Sequence, residues 1–276
     1  MEYVISLRYT EITLKGKNRA FFEKKLVESV REALEGHEIK FSHMKRIKGR
    51  VFVYFDQQEL ARKAIEPLTK VFGVNGLCFG ILVNEDTESI KNGCTILLDN
   101  LSFKTFRIST KRGNKSFHKN SNEIDREIGY FVQERYNKKV DLENYELEVI
   151  IEIFSGLVIV SVENFPGAGG LPLGTGGKVV VGTDYKNYEL SAYYLMKKGC
   201  KVFFCGKTEP EFSFLHSYNF NNEFEFFKEN DDISKLMEIN SVKAFVVGCG
   251  AQEYVENKQY FPKDCLTLAP LVGMND

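Results

Sequence analysis

Three stretches of this 276-residue chain carry residue types that could handle phosphate. The first is Lys15-Gly16-Lys17-Asn18-Arg19, with Arg8 upstream, where cations sit beside the expected start of a helix whose free N–H groups favour anions. The second runs from Lys104 to Lys119 (KTFRISTKRGNKSFHK), with six basic residues and no acid. Its segment Lys111-Arg112-Gly113-Asn114-Lys115-Ser116-Phe117-His118 interleaves charges with an amide, a hydroxyl and rings. Single-stranded RNA recognition uses that mixture: cations for phosphates, amides for base edges, rings for stacking. The candidate RNA-binding residues are therefore Lys15, Lys17, Arg19, Lys104, Arg107, Lys111, Arg112, Asn114, Lys115 and Lys119.

The third stretch, Pro166 to Val202, reads as a Gly-rich loop, a short strand, a turn and a helix, an arrangement in which an ATP phosphate could sit. Its turn, however, is Gly182-Thr183-Asp184-Tyr185-Lys186-Asn187-Tyr188. A phosphate turn needs small residues so that backbone N–H groups can close on the anion. Two tyrosines and an aspartate stand there instead. Gly174-Thr175-Gly176-Gly177-Lys178 precedes the strand, whereas a phosphate loop follows one.

Other chemistries find little support. Six cysteines without C-x-x-C spacing and four histidines in no ligand pattern argue against a disulfide framework or a metal site. Cys249, between Gly248 and Gly250, is the one cysteine placed where a reactive thiol is conceivable, and the bland reading is a buried thiol. Net charge is −1, yet Lys40 to Arg50 adds a second acid-free basic run, with five cations, which points to a polyanionic partner. No apolar run approaches the ~20 residues of a membrane span, and the N-terminus has no signal-like pattern, so a cytoplasmic protein with no membrane partner is expected.

The elements that must position these stretches follow from periodicity. Tyr3 to Tyr9, Ile39 to Ile47, Arg50 to Phe55 and Phe79 to Val83 read as strands. Helices are expected over Arg19 to Leu34, capped by Gly36, and from Asp56 to about Val71, with Pro67 as a kink or stop. This β-α-β-β-α-β order is ferredoxin-like. Helices over Asp86 to Leu98 and Glu123 to Tyr136, a strand Thr105 to Thr110 and a hairpin Leu147 to Phe154 with Leu157 to Val162 form a second α/β module. Strands 179–182, 200–205, 244–248 and 266–271 with helices Glu189 to Lys198 and Asp231 to Asn240 predict a small parallel sheet. The chain is thus α/β, α+β in its N-terminal half, with domains 1–83, 84–165 and 166–276.

Three motifs together resemble one family, the tRNA 4-thiouridine synthetases, also known as the thiamine-biosynthesis protein ThiI. Tyr9-Thr10-Glu11-Ile12-Thr13-Leu14-Lys15-Gly16-Lys17-Asn18-Arg19 is similar to the family opening Y-G-E-I-x-L-K-G-x-N-R. Phe106 to Phe117 resembles the basic strand and loop of a THUMP domain, which binds the 3′ end of tRNA. Gly169-Gly170-Leu171-Pro172-Leu173-Gly174-Thr175 is similar to the G-G-x-P-x-G-T leading into the adenylating PP-loop domain, of the adenine nucleotide alpha hydrolase type.

The resemblance implies a ferredoxin-like domain, a THUMP domain and a PP-loop domain. Aligned on Lys197-Lys198-Gly199, the family's S-G-G-x-D-S falls on Thr183, Asp184, Tyr185, Lys186, Asn187 and Tyr188, where only a hydroxyl survives. Leu268-Ala269-Pro270-Leu271-Val272-Gly273 resembles the family's L-R-P-L-I-G, and the family's catalytic cysteine lies beyond Asp276. The resemblance therefore implies a tRNA-binding protein with a degenerate, truncated PP-loop domain. It further implies no catalytic residues and no cofactor, contact with the tRNA acceptor stem and 3′ end, and a partner protein that supplies any catalysis. The alternative is a tRNA uridine 4-sulfurtransferase using ATP and Mg through a rearranged site. A homodimer is left open.

Overall fold

The computed structural model describes residues 2–47, 49–113, 117–154, 157–220, 224–228, 237, 241–261 and 265–274. The chain divides into two compact units: 1–8, 39–66 and 76–166 form one, and 9–38, 67–75 and 167–276 form the other.

The first unit is built on one eight-stranded sheet. Its strands are β1 (Tyr3–Arg8), β2 (His43–Ile47), β3 (Arg50–Phe55), β4 (Gly76–Val83), β5 (Thr105–Arg112), β6 (Lys139–Val140), β7 (Leu147–Phe154) and β8 (Leu157–Pro166), in the order β2-β3-β1-β4-β8-β7-β5-β6. The ferredoxin-like strands and those of the second module are thus continuous, joined where β4 pairs antiparallel with β8. Within this unit, helix α3 (Thr87–Leu98) is capped by Asp86, whose carboxylate accepts the Ser89 N–H at 2.8 Å. Helix α4 (Ser121–Tyr136) opens with a reciprocal capping box between Asn120 and Glu123. Ile108 of β5 lies under Gly129 of α4, so α4 covers the face of the sheet carrying Phe106 and Ile108.

The second unit contains helix α1 (Arg19–Gly36), which buries Leu26, Val30, Ala33 and Leu34. Its sheet is parallel throughout: β9 (Lys178–Gly182), β10 (Lys201–Gly206), β11 (Phe226–Lys228), β12 (Ala244–Val246) and β13 (Leu266–Leu268) stand in the order β11-β10-β9-β12-β13. Apolar clusters cover both faces, one around Val181, Phe204 and Val246, the other around Val180, Phe203 and Val247.

Several expectations need correction. The strand expected from Ile39 starts only at His43, because α1 runs through Gly36 and closes with Glu38 at φ +53, leaving the next residues to make the connection. Helix α2 (Gln58–Thr69) continues past Pro67, which sits within three residues of its end and so interrupts little. Strand β5 extends to Arg112, since its pairing with β7 continues to Ile153, so Lys111 and Arg112 belong to the strand and not to the loop. Helices α5 (Tyr188–Lys197) and α6 (Ala251–Asn257) flank the parallel strands, and α6, directly after Cys249-Gly250, was not expected. The helix expected over Asp231 to Asn240 lies outside the described residues apart from Met237.

Candidate nucleic-acid interface

Alternation along β5 sends Phe106 and Ile108 into the core and leaves Arg107, Ser109 and Lys111 on the opposite face. Directly opposed residues of paired strands share a face, so register carries that face across the sheet. Arg107 stands opposite Glu148, Ser109 opposite Ile150 and Lys111 opposite Glu152. Ile150 then faces Ser161, Ser161 faces Gly80, Cys78 faces Ser6, Ser6 faces Phe52 and Arg8 faces Arg50.

This face is concave. Ser6 Oγ of β1 donates to Glu152 Oε2 of β7 at 3.2 Å, and Arg50 Nη2 of β3 donates to Glu152 Oε1 at 2.6 Å. The Phe52 and Phe154 rings meet with centroids 5.2 Å apart. In a flat sheet, strands β3 and β7, four spacings apart, would lie roughly 19 Å from each other, further than an Arg and a Glu can reach together. The sheet must curl. Its floor allows this because Ser6, Cys78, Gly80 and Ser161 are small. A Cβ on Gly80 would come within 2.4 Å of Val160 O, at a point where the register between β4 and β8 shifts.

Charge is distributed by depth. Glu152 is 1% exposed and Ser6 is fully buried, Arg8 and Arg50 are half-buried, and Lys111 and Asn164 are exposed. Arg8 Nη2 donates to Asn164 Oδ1. Burial pushes the Cys78 thiol up from its ordinary value, and the positive charges of Arg8, Lys111 and Arg50 pull against it. Next along β5, Arg107 Nη2 donates to Glu148 Oε1 at 2.7 Å and its guanidinium lies 4.0 Å from the Tyr145 ring centroid. Burial works to raise the Glu148 carboxyl, but the Ser109 hydroxyl and Arg107 outweigh it and hold it below its ordinary value.

The remaining candidates have different surroundings. Lys104 is exposed and its backbone N–H donates to Glu146 at 2.8 Å. Arg112 donates to the Lys119 carbonyl at 2.8 Å, and Lys119 pairs with Glu127. Asn114 and Lys115 lie outside the described residues. Phe117, read as one of the interleaved rings, is 5% exposed and is core, because its apolar ring finds the protein interior first. In the second unit Lys17 is exposed and Lys15 lies 4.9 Å above the Phe22 ring. Arg19 Nε donates to Glu23 at 2.6 Å, and Tyr9 Oη donates to the same Glu23 oxygen, also at 2.6 Å. Hydrogen bonds to Tyr9 and Glu23 raise the Arg19 pKa.

The turn between β9 and α5 is filled by its own side chains. Tyr185 packs among Val180, Phe245 and Phe261, and a Cβ on Gly182 would lie 2.9 Å from the Tyr185 ring. Tyr188 packs edge-on to Phe204 and Phe212, and its hydroxyl donates to Glu211 O at 3.0 Å. Thr183 Oγ1 donates to Cys205 O at 3.3 Å, Asp184 accepts the Lys207 N–H at 3.4 Å, and Asn187 precedes α5 without capping it. Glu189, in the first turn of α5, takes the Ser213 and Phe214 N–H groups at 3.0 and 3.1 Å. Two carboxylates and two rings at this helix start do not fit a triphosphate.

The glycine loop before β9 closes the other end of the same helix. Leu171 N–H donates to Lys197 O and Gly176 N–H to Gly199 O, which satisfies carbonyls at the C-terminus of α5. Gly170, at φ +74, lies so close that a Cβ would stand 2.1 Å from Lys197 O. Cys249 is fully buried and its thiol is pushed up by burial, the reverse of a reactive thiolate. Among the described residues no helix is long and apolar enough to cross a membrane and no cluster of metal ligands occurs.

Sequence reasoning passed over Glu152, Asn164 and Ser161, and it noted Arg8 and the run containing Arg50 without placing them at the site. Only the basic run 40–50 carried a usable signal.

A ferredoxin-like domain continued by a THUMP domain is the class defined by this sheet. The ThiI ferredoxin-like family model matches residues 4–78 and the THUMP model matches 84–163. A protein from Caldanaerobacter subterraneus named probable tRNA sulfurtransferase is 35% identical over 216 residues, 73% of this chain and 52% of the relative. The chain thus spans about half the length of such relatives. It belongs to the ThiI family. Among solved structures, PH1313 from Pyrococcus horikoshii superposes with a TM-score of 0.84 at 26% identity, covering 100% of this chain and 96% of that one. A 4-thiouridine synthetase in complex with RNA and ATP shares the fold, with a TM-score of 0.81 at 23% identity over 100% of this chain and 82% of the other.

Proposed function

We propose that the chain is a tRNA-binding protein that engages the acceptor stem and 3′ end through its THUMP and ferredoxin-like strands, without adenylating or sulfur-transferring activity of its own. The observation that carries this reading is the contrast between a cationic, partly open sheet face and a nucleotide turn packed with Tyr185 and Tyr188. Relatives named tRNA sulfurtransferase support the RNA half of the proposal. Catalysis, where needed, is then supplied by a partner protein. The names of the same relatives favour a second reading, an active sulfurtransferase with a rearranged ATP site, against which the burial of Cys249 weighs.

A fluorescence titration of the chain with a tRNA acceptor minihelix tests the first reading. Binding should weaken with salt, with a slope of roughly −0.7 per single-strand phosphate contacted. Absence of binding at low salt refutes it.

A further inference from the structure

We propose that a cavity of about 260 Å³ in the second unit, walled by α1 and by the start of β10, binds a small organic amine with an apolar body. It is distinct from the turn after β9. The cavity borders Cys200, Lys201 and Val202 at the entry to β10, whereas a nucleotide on an open parallel sheet sits beyond the carboxyl ends of the strands.

The floor is apolar. Met196, Cys200 and Val202 are buried members of one core cluster, and Leu173 and Phe224 pack against it, so the cavity opens onto the edge of that core. Water over such a floor makes few hydrogen bonds, and an apolar group that displaces it gains free energy in proportion to the area covered. The volume falls just under the range of drug-sized ligands, which suits one ring or a short branched chain. The Cys200 thiol donates to Gly176 O at 3.5 Å and burial pushes it up, so it serves as floor and not as a nucleophile.

The rim sets the sign of the ligand's charge. Lys25, Glu28, Ser29 and Glu32 form one stripe of α1 at helical spacing, and Lys201, Asn219 and Glu225 complete the rim. Each lysine already has a carboxylate: Lys25 Nζ lies 2.6 Å from Glu28 Oε2, and Lys201 Nζ lies 3.0 Å from Glu225 Oε1. Three carboxylates against two ammonium groups leave one negative charge in excess. The Glu32 carboxyl is pushed above its ordinary value, first by desolvation between the walls and then by the Glu28 charge. A cation held beside Glu28 and Glu32 offsets both effects. An ammonium group brings three donors, for which the two carboxylates and the Ser29 hydroxyl or the Asn219 amide oxygen are acceptors. A bare metal ion fits poorly, since no cluster of metal ligands occurs among the described residues and hard cations need oxygen on every side.

The test is calorimetric titration of the full chain with phenethylamine, 2-phenylethanol, 3-phenylpropionate and ammonium chloride as probes. Phenethylamine should bind at one site per chain, about ten-fold more tightly than the neutral alcohol, the factor expected of a charge-assisted contact. Ammonium chloride, which has the charge without the body, should not compete with it. Glu28→Gln and Glu32→Gln should each remove most of the preference for the amine, whereas Glu59→Gln, an exposed acid of α2 in the first unit, should leave it unchanged. Ser29→Phe places a ring in the cavity and should abolish binding of amine and alcohol alike. Circular dichroism melts show whether each variant is folded, and the two Gln variants, which keep the side-chain shape, carry the test if Ser29→Phe is not. If no probe binds, the site is refuted. Equal affinity for amine and alcohol, tighter binding of 3-phenylpropionate, competition by ammonium chloride, or an unchanged preference in both Gln variants would each overturn the assignment to an organic amine.

Discussion

The concave sheet face and the turn after β9 are both places where a phosphate might be sought, and they differ in how their polar groups are used. On the sheet face small floor residues let Ser6 and Arg50 converge on one carboxylate, Glu152, while Lys111 on the same face stands exposed. In the turn, rings occupy the volume, and carboxylates take up backbone N–H groups, Asp184 that of Lys207 and Glu189 those of Ser213 and Phe214. The Gly-rich loop 167–177 serves a helix C-terminus, whereas the concave face contains glycine only as floor.

The largest effect should come from emptying the turn. Tyr188→Ala removes a half-buried ring from Phe204 and Phe212 and should cost about 2 to 3 kcal/mol in urea unfolding. Unchanged stability would mean that the rings merely decorate the surface. Glu189→Ala releases the Ser213–Phe214 strap and should cost about 1 to 2 kcal/mol. On the sheet side, changing Lys111 alone should leave stability within about 0.5 kcal/mol while RNA affinity falls, since Lys111 is exposed. A stability loss as large as that of Tyr188→Ala would erase the distinction between the two regions.

The smallest effect concerns pH. Glu148 and Glu127 are both held below their ordinary carboxylate values, Glu148 by Ser109 and Arg107 against the opposing effect of burial, Glu127 by Lys119. Their contribution is therefore fully present above about pH 4.5 and declines as pH falls through the lowered values. Urea midpoints measured from pH 6 to pH 3 should drop, and Glu148→Gln should flatten part of that drop.

Much of this was legible in the sequence where local pattern decides. The alternation of β5, the helix over Glu123 to Tyr136 and the parallel β9–β10 pair follow from period, and the unsuitability of Tyr185 and Tyr188 for a phosphate turn follows from size alone. The concave face was not legible. Arg50 and Glu152 stand 102 residues apart, and Ser6 and Glu152 146. What joins them is the curl of an eight-stranded sheet over Gly80 and Ser161, a property of the pairing as a whole and of no single segment. Likewise Arg19, a good phosphate candidate by spacing, finds Glu23 one helical turn away and Tyr9 alongside.

Calorimetry of the full chain with ATP and magnesium, alone and then in the presence of the tRNA minihelix, is the most direct measurement. The expected result is no heat with ATP in either case and salt-dependent heat with the minihelix. Stoichiometric ATP binding, with or without RNA, would contradict the central claim that the nucleotide turn is closed by its own side chains.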